Sequence, residues 1–228
     1  MASLAARYQG VLDRISQSAQ SANRDAADLT LVVITKNHPA SMVLELIELG
    51  ARDFGENRDQ EAEPKAAEIA QATSTPINWH FVGQLQTNKV KSALSYASTI
   101  HSLDRQSLLD SLAKNCLEKS EPLDVFVQLN LTDDPGRGGI EPKNLEAFAN
   151  NVLSHSNLRL MGVMGVAALD RAPEVDFETI RGASEKLQQL EPGAKFISMG
   201  MSGDFETAIA FGATHLRIGS EIMGNRVY

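Results

Sequence analysis

The stretch Leu31-Val32-Val33-Ile34-Thr35-Lys36-Asn37-His38-Pro39 decides the fold. Its first four residues form a continuous apolar run, too short for a helix and rich in β-branched side chains. A strand of that kind suits burial on both faces, as in a parallel sheet. The chain then turns polar from Thr35 to His38, and Pro39 stands where a helix can start. Met42, Val43, Leu46 and Ile47 return at helical spacing, and Gly50 follows as a left-handed residue closing that helix.

Outward from this unit the same alternation fills the chain. Upstream, Leu4, Tyr8, Val11, Leu12, Ile15, Ala19 and Ala22 make one apolar face of a front helix. Downstream, strands are predicted over residues 52–55, 79–83, 99–102, 125–130, 160–165, 196–200 and 215–219. Helices are predicted between them over 56–72, 87–96, 105–118, 142–154, 175–190 and 205–211. With 31–35 as the first, eight strands alternate with seven helices, and the front helix is extra. Such alternation implies right-handed crossovers and a parallel sheet. Eight units in this length fit an α/β fold of one kind, a single (β/α)8 TIM barrel with an extra N-terminal helix. An open Rossmann sheet fits less well, because no strand is followed by Gly-x-Gly-x-x-Gly. The run Gly136-Arg137-Gly138-Gly139 has the wrong spacing and sits in a polar loop. No linker or low-complexity stretch interrupts the pattern, so one domain is expected over residues 1–228.

Composition narrows the function classes. The 228 residues carry 21 Lys and Arg against 29 Asp and Glu, a net charge of −8. That balance argues against general binding to a nucleic-acid backbone. The one cysteine, Cys116, excludes an intrachain disulfide and a multi-cysteine zinc site. It keeps the helical step of Leu108, Leu109, Leu112 and Ala113, so it reads as a core residue before a reactive thiol. The five histidines show no metal-ligand spacing, and no metal is expected. The first ten residues lack the apolar core of a signal peptide, and no run of 18 apolar residues occurs. These features predict a cytoplasmic protein with no membrane contact.

In a parallel barrel the loops after the strands converge on one mouth. That rule gathers Thr35, Lys36, Asn37 and His38; Glu56 and Asn57; Gln84, Gln86, Asn88 and Lys89; Asn130; Met164 and Gly165. It also gathers Ser198-Met199-Gly200-Met201-Ser202-Gly203-Asp204 and Arg217-Ile218-Gly219-Ser220. The last two loops are rich in Gly and Ser, lead into helices, and hold the seventh and eighth positions. Backbone N–H groups there can approach an anion closely, the usual phosphate site of such barrels. Taken singly, each loop is also explained by helix capping and tight turns. Lys36 follows a fully apolar strand and so sits partly desolvated at the mouth, where an amine becomes a useful nucleophile and can form a Schiff base. A solvated loop lysine is the plainer reading of that position alone. Arg217, between Leu216 and Ile218, must meet an anion, a ring or an acceptor if it faces inward. His80 reads as a hydrogen-bonded core histidine and Glu56 as an acid in the first turn of a helix. A Schiff-base lysine, a phosphate cradle and an arginine together describe a pocket for pyridoxal 5′-phosphate. A class I aldolase acting on a sugar phosphate would use similar parts.

Longer motifs then carry a family resemblance. They are Val33-Ile34-Thr35-Lys36-Asn37-His38-Pro39, Phe54-Gly55-Glu56-Asn57, and the run from Trp79 to Lys89, Trp-His-Phe-Val-Gly-Gln-Leu-Gln-Thr-Asn-Lys. The most specific are Ser198 to Asp204 and Arg217-Ile218-Gly219-Ser220-Glu221-Ile222-Met223-Gly224. Across almost its full length the chain resembles the YggS/PROSC family, the pyridoxal phosphate homeostasis proteins. The resemblance implies a barrel like the N-terminal domain of alanine racemase, with pyridoxal 5′-phosphate covalent on Lys36. It further implies that Ser202, Gly219 and Ser220 hold the phosphate, that Arg217 faces the pyridine nitrogen, and that Asn57 and Met201 line the pocket. Two departures stand out. The family more usually reads Ser-Lys-Thr-x-Pro where Thr35 and Asn37 flank Lys36 here, and Arg137 replaces a lysine in the loop after the fifth strand.

The expected function is therefore buffering or delivery of pyridoxal phosphate in vitamin B6 homeostasis, without strong catalysis. The expected partners are the cofactor itself and either apoenzymes that use it or a regulatory protein, and the chain is expected to be a monomer. A racemase-type enzyme is the main competing reading, but two-base racemisation needs an acid/base group on each face of the substrate. The barrel leaves no further domain to supply the second. Less favoured are a class I aldolase and a protein-interaction module that docks a partner through its acidic surface.

Overall fold

The computed structural model describes residues 2–224 apart from 119 and 133. Eight parallel strands form a closed barrel in sequence order. They are β1 (Thr30–Ile34), β2 (Asp53–Glu56), β3 (Asn78–Phe81), β4 (Ala97–Leu103), β5 (Leu123–Gln128), β6 (Leu158–Met164), β7 (Phe196–Ser198) and β8 (His215–Ile218). The helices are α1 (Leu4–Ser21), α2 (Ala40–Glu48), α3 (Asp59–Ala72), α4 (Val90–Ala93), α5 (Gln106–Asn115), α6 (Leu145–Leu153), α7 (Pro173–Leu190), α8 (Phe205–Ala210) and α9 (Ser220–Met223). In β1, Val32 and Val33 are both fully buried, one toward each side of the sheet. This is the burial that the apolar run requires. β1 closes the barrel by pairing Val33 with Phe54 on one side and with Ile218 on the other.

The front helix binds the two ends of the chain together. Ser3 caps α1 by accepting from the Ala6 amide, and Leu4, Tyr8, Val11, Ile15 and Ala19 are buried along one face. Arg14 pairs with Glu206 of α8 and Glu221 of α9 and lies over the Phe205 ring. Arg7 donates to the carbonyls of Ile222 (2.6 Å) and Met223 (3.3 Å) at the end of α9. Gly50 takes φ +99° after α2, as predicted, and Ala51 N–H reaches back to Leu46 O at 2.9 Å.

Two predicted helices are corrected. The helix expected over 87–96 is a 3-10 turn, Thr87–Lys89, followed by the four residues of α4. The cause is that Ala97 already pairs with Trp79, so β4 begins earlier than expected. Glu56 is not a first-turn acid. It is the last residue of β2, paired with Phe81, and α3 starts three residues later.

The register of β5 against β6 shifts between Val125 and Phe126, where Phe126 pairs with Gly162. Gly162 has φ +153°, and a Cβ there would lie 1.8 Å from the Phe196 carbonyl oxygen of β7. Backbone cannot yield as a flexible side chain can. Gly162→Ala is therefore expected to cost about 3 kcal/mol by overpacking. Urea unfolding should show it as a lower midpoint at unchanged slope.

Candidate functional site

The mouth of the barrel holds a cavity of about 430 Å³. All seven residues singled out from sequence line it: Lys36, Asn57, Met201, Ser202, Arg217, Gly219 and Ser220. His38, Gly83 and Gly203 join them, with Ile34, Val82, Met164 and Val166 as apolar wall. Gln84, Gln86, Asn88, Lys89 and Asn130 are not in the lining. Lys89 instead faces Asp59 at 3.8 Å, and Asn130 folds onto its own loop through Thr132 and Asp134.

A tight turn presents Lys36. His38 N–H closes it onto Thr35 O at 3.1 Å, and Asn37 takes φ +61° at the tip. Asparagine tolerates that left-handed conformation better than most residues, which accounts for its place beside the lysine. Beneath the turn, Thr35 Oγ1 donates to Glu56 Oε1 (2.7 Å). Lys65 Nζ donates to Thr35 O (2.8 Å) and pairs with the same carboxylate oxygen. Glu56 is fully buried and Lys65 8% exposed. Sequence reading missed this pair. A signal existed, because Lys65 falls on the buried stripe of α3 with Asp59, Ala62, Ala66 and Ile69. A lysine on such a stripe must have a partner.

Opposing loops are fitted closely. A Cβ on Gly83 would lie 2.2 Å from Asn57 O, and one on Gly200 (φ +91°) 2.7 Å from the Ala208 Cβ. Arg217 N–H bonds Gly200 O at 2.9 Å and Gly219 N–H bonds Ser202 Oγ at 3.3 Å, so the seventh and eighth loops are stitched together. Met201 N–H donates to Asp204 Oδ1 at 2.6 Å. Asn57 Oδ1 is buried without a hydrogen-bond partner among the described residues. It is an open acceptor on a residue that lines the cavity. Arg137 is not in the lining; it donates to Ala167 O at 3.0 Å and ties the fifth loop to the sixth.

Arg217 is 5% exposed. Its guanidinium donates to Ser198 Oγ (2.6 Å) and Gly165 O (2.9 Å). Burial pushes it down to about 10, with Asp204 opposing, so it is charged at neutral pH. His80 is a hydrogen-bonded core histidine, as predicted.

The core histidines make stability depend on pH. Burial, with His80, His215 and Arg217 adding to it, holds His101 well below the ordinary range. Burial brings His215 down to about 4, with His80 adding, Asp53 opposing and Arg217 adding. An unfolded histidine takes a proton near 6.5, which the folded protein refuses. Stability is therefore complete above that value and falls as the pH drops toward 4. His215 accounts for about 3 kcal/mol of this loss. Denaturant titrations across that window should show it, with a flatter slope in His215→Gln.

Fold and site together define a closed parallel barrel whose cavity is shared by one rim lysine and two glycine-serine loops. The family model described as alanine racemase, N-terminal domain, matches residues 11–227. The chain is 38% identical to the pyridoxal phosphate homeostasis protein of Pseudomonas aeruginosa, covering 100% of this chain and 98% of that one. It is 34% identical to the protein of that name from Escherichia coli, covering 96% and 94%. The chain thus belongs to the family of pyridoxal phosphate homeostasis proteins, barrels related to the alanine racemase N-terminal domain. Among solved structures, PipY of Synechococcus elongatus with PLP bound matches at TM-score 0.81 and 31% identity, covering 92% of this chain and all of that one. Alanine racemase from E. faecalis, at TM-score 0.69 and 17% identity, shares the fold; it covers 95% of this chain and 58% of the racemase.

Among the described residues no group of three or more His, Cys, Asp and Glu could hold a metal ion. No helix there is long and apolar enough to cross a membrane.

Proposed function

We propose that this protein holds pyridoxal 5′-phosphate reversibly on Lys36 and serves vitamin B6 homeostasis, buffering or delivering the cofactor rather than turning over a substrate. One observation carries the reading: a single cavity is lined jointly by Lys36, Arg217 and the glycine-serine loops. The cavity, the open acceptor of Asn57 and the stitched loops fit such a group. The names of the relatives and the PLP-bound PipY structure support the same reading.

Bound there, the cofactor supplies an aldehyde able to condense with an amine. Lys36 offers that amine on a turn braced from below by Thr35, Glu56 and Lys65. Ser202, Gly219 and Ser220 offer hydroxyl and N–H donors for a phosphate, and Met201 and Asn57 shape the wall. Arg217 can only donate, so a ring nitrogen held before it would accept a hydrogen bond and stay unprotonated. That leaves the ring a weak electron sink and favours carriage over carbanion chemistry. Apart from Lys36, His38 and Arg217, the lining has no acid/base side chain: among the described residues it contains no carboxylate, cysteine or tyrosine. The recipients would be apoenzymes or a regulatory protein in the cytoplasm, served by a monomer of one domain.

Titration of the purified protein with pyridoxal 5′-phosphate tests the reading. A new visible band saturating at one cofactor per chain is expected. Absence of the band, or saturable conversion of any L-amino acid to its D-isomer on chiral chromatography, would overturn it.

A further inference from the structure

A line of hydrogen bonds crosses the barrel interior beneath the cavity. Arg217 Nη1 donates to Ser198 Oγ at 2.6 Å, and Ser198 Oγ lies 2.8 Å from His101 Nδ1. His101 Nε2 lies 2.9 Å from His80 Nδ1, and His80 Nε2 lies 3.0 Å from Asp53 Oδ1. The five residues come from β8, β7, β4, β3 and β2. Four of them are buried, whereas the Asp53 side chain is 24% exposed at the start of β2, the end of the barrel opposite the mouth.

The two ends fix the direction of every proton in between. Arginine only donates and a carboxylate only accepts. With one proton on each imidazole the carboxylate end sets the order, and Ser198, which accepts from Arg217, gives its own proton to His101 Nδ1. His101 then carries its proton on Nε2 and donates to His80 Nδ1. His80 in turn carries its proton on Nε2 and donates to Asp53. The reverse order would set a lone pair of His80 against the carboxylate unless a second proton entered the line. Burial keeps a second proton off His101. Arg217, His80 and His215 surround His101, Phe126 stacks on its ring at 4.5 Å, and Asp53, the anion of this line, stands beyond His80. Asp53 remains a carboxylate: burial works against this, but the bonds from His80 and Asn78 outweigh it. Near Arg217 the other charged group is Asp204.

We propose that His80 and His101 are positioning residues for Arg217, forming a one-directional hydrogen-bond chain that couples its guanidinium in the cavity to the Asp53 carboxylate at the far end of the barrel. A change of charge at that end then alters the grip on a ligand at the mouth. The ligand part rests on the reading given under Proposed function; the proton order does not.

Two arms test it separately. In cofactor-free protein, long-range nitrogen–proton NMR should find both His80 and His101 protonated on Nε2 at neutral pH. His101 protonated on Nδ1, or averaging between tautomers, overturns the chain. In the second arm, pyridoxal 5′-phosphate is added to three variants. Asp53→Asn keeps an acceptor for His80 but removes the charge; it should shift the pH midpoint of the visible band and weaken retention about threefold to tenfold. His101→Leu breaks the line and should weaken retention by about tenfold or more. His101→Gln, which still accepts from Ser198 and donates to His80, should recover most of that loss. A purely structural role would lower thermal stability in these variants without moving band or retention. Wild-type band and retention in Asp53→Asn overturns the coupling, whether or not His101→Leu folds. If wild-type protein takes up no cofactor, the ligand coupling falls with the functional reading, and the tautomers alone decide the proton order.

Discussion

Lys36→Ala is expected to abolish covalent uptake of pyridoxal 5′-phosphate and to weaken residual binding by about 100-fold or more, equivalent to about 3 kcal/mol. Among the described residues no other amine lines the cavity. Lys65, whose nitrogen reaches the Thr35 carbonyl next to Lys36, is held there and on Glu56, so it is committed. The glycine-serine loops and Arg217 are untouched by the change and should leave a weak, non-covalent site. Borohydride reduction followed by peptide mass analysis reads the result: one adduct on the peptide carrying Lys36 in the wild type, and none in the variant. An adduct of equal yield elsewhere in both proteins would remove Lys36 from the site.

Lys65→Met should be the most damaging single change to stability away from the backbone, at about 3–5 kcal/mol. It leaves the Glu56 carboxylate fully buried, facing only the Thr35 hydroxyl, with its second oxygen already without a partner among the described residues. A buried charge stripped of its counter-ion costs far more than the pair contributed. Adding Glu56→Gln to Lys65→Met removes the stranded charge and should return a large part of the loss. Urea unfolding of the two variants measures both numbers. A cost below about 1 kcal/mol for Lys65→Met would place the pair among those of no energetic consequence.

The barrel was legible because its strands advertise themselves. Val32 and Val33 in sequence already demand two buried faces, and helix spacing resumes immediately after each polar turn. Lys36, Arg217 and the glycine-serine loops were legible for a related reason: polar or small residues at the C-terminal ends of apolar strands have one place to gather. What could not be read was pairing across distance. Glu56 and Lys65 lie nine residues apart on different elements, and only the fold shows that Thr35 stands between them. Likewise, nothing in the run Trp79-His80-Phe81 announces that His101 and Asp53 are its partners. Local pattern overstated the helix after β3 because it took no account of how early β4 must begin to meet Trp79.

The seam between β1 and β8 joins Thr30 to His215 and Val33 to Ile218, and α1 clasps α8 and α9 across it. Lys36 therefore leaves the ribosome long before the loops that share its cavity. The cavity is complete only once Gly219 and Ser220 have been synthesised. Pairs so remote in sequence form slowly, and the mouth of the barrel is expected to take shape late in folding.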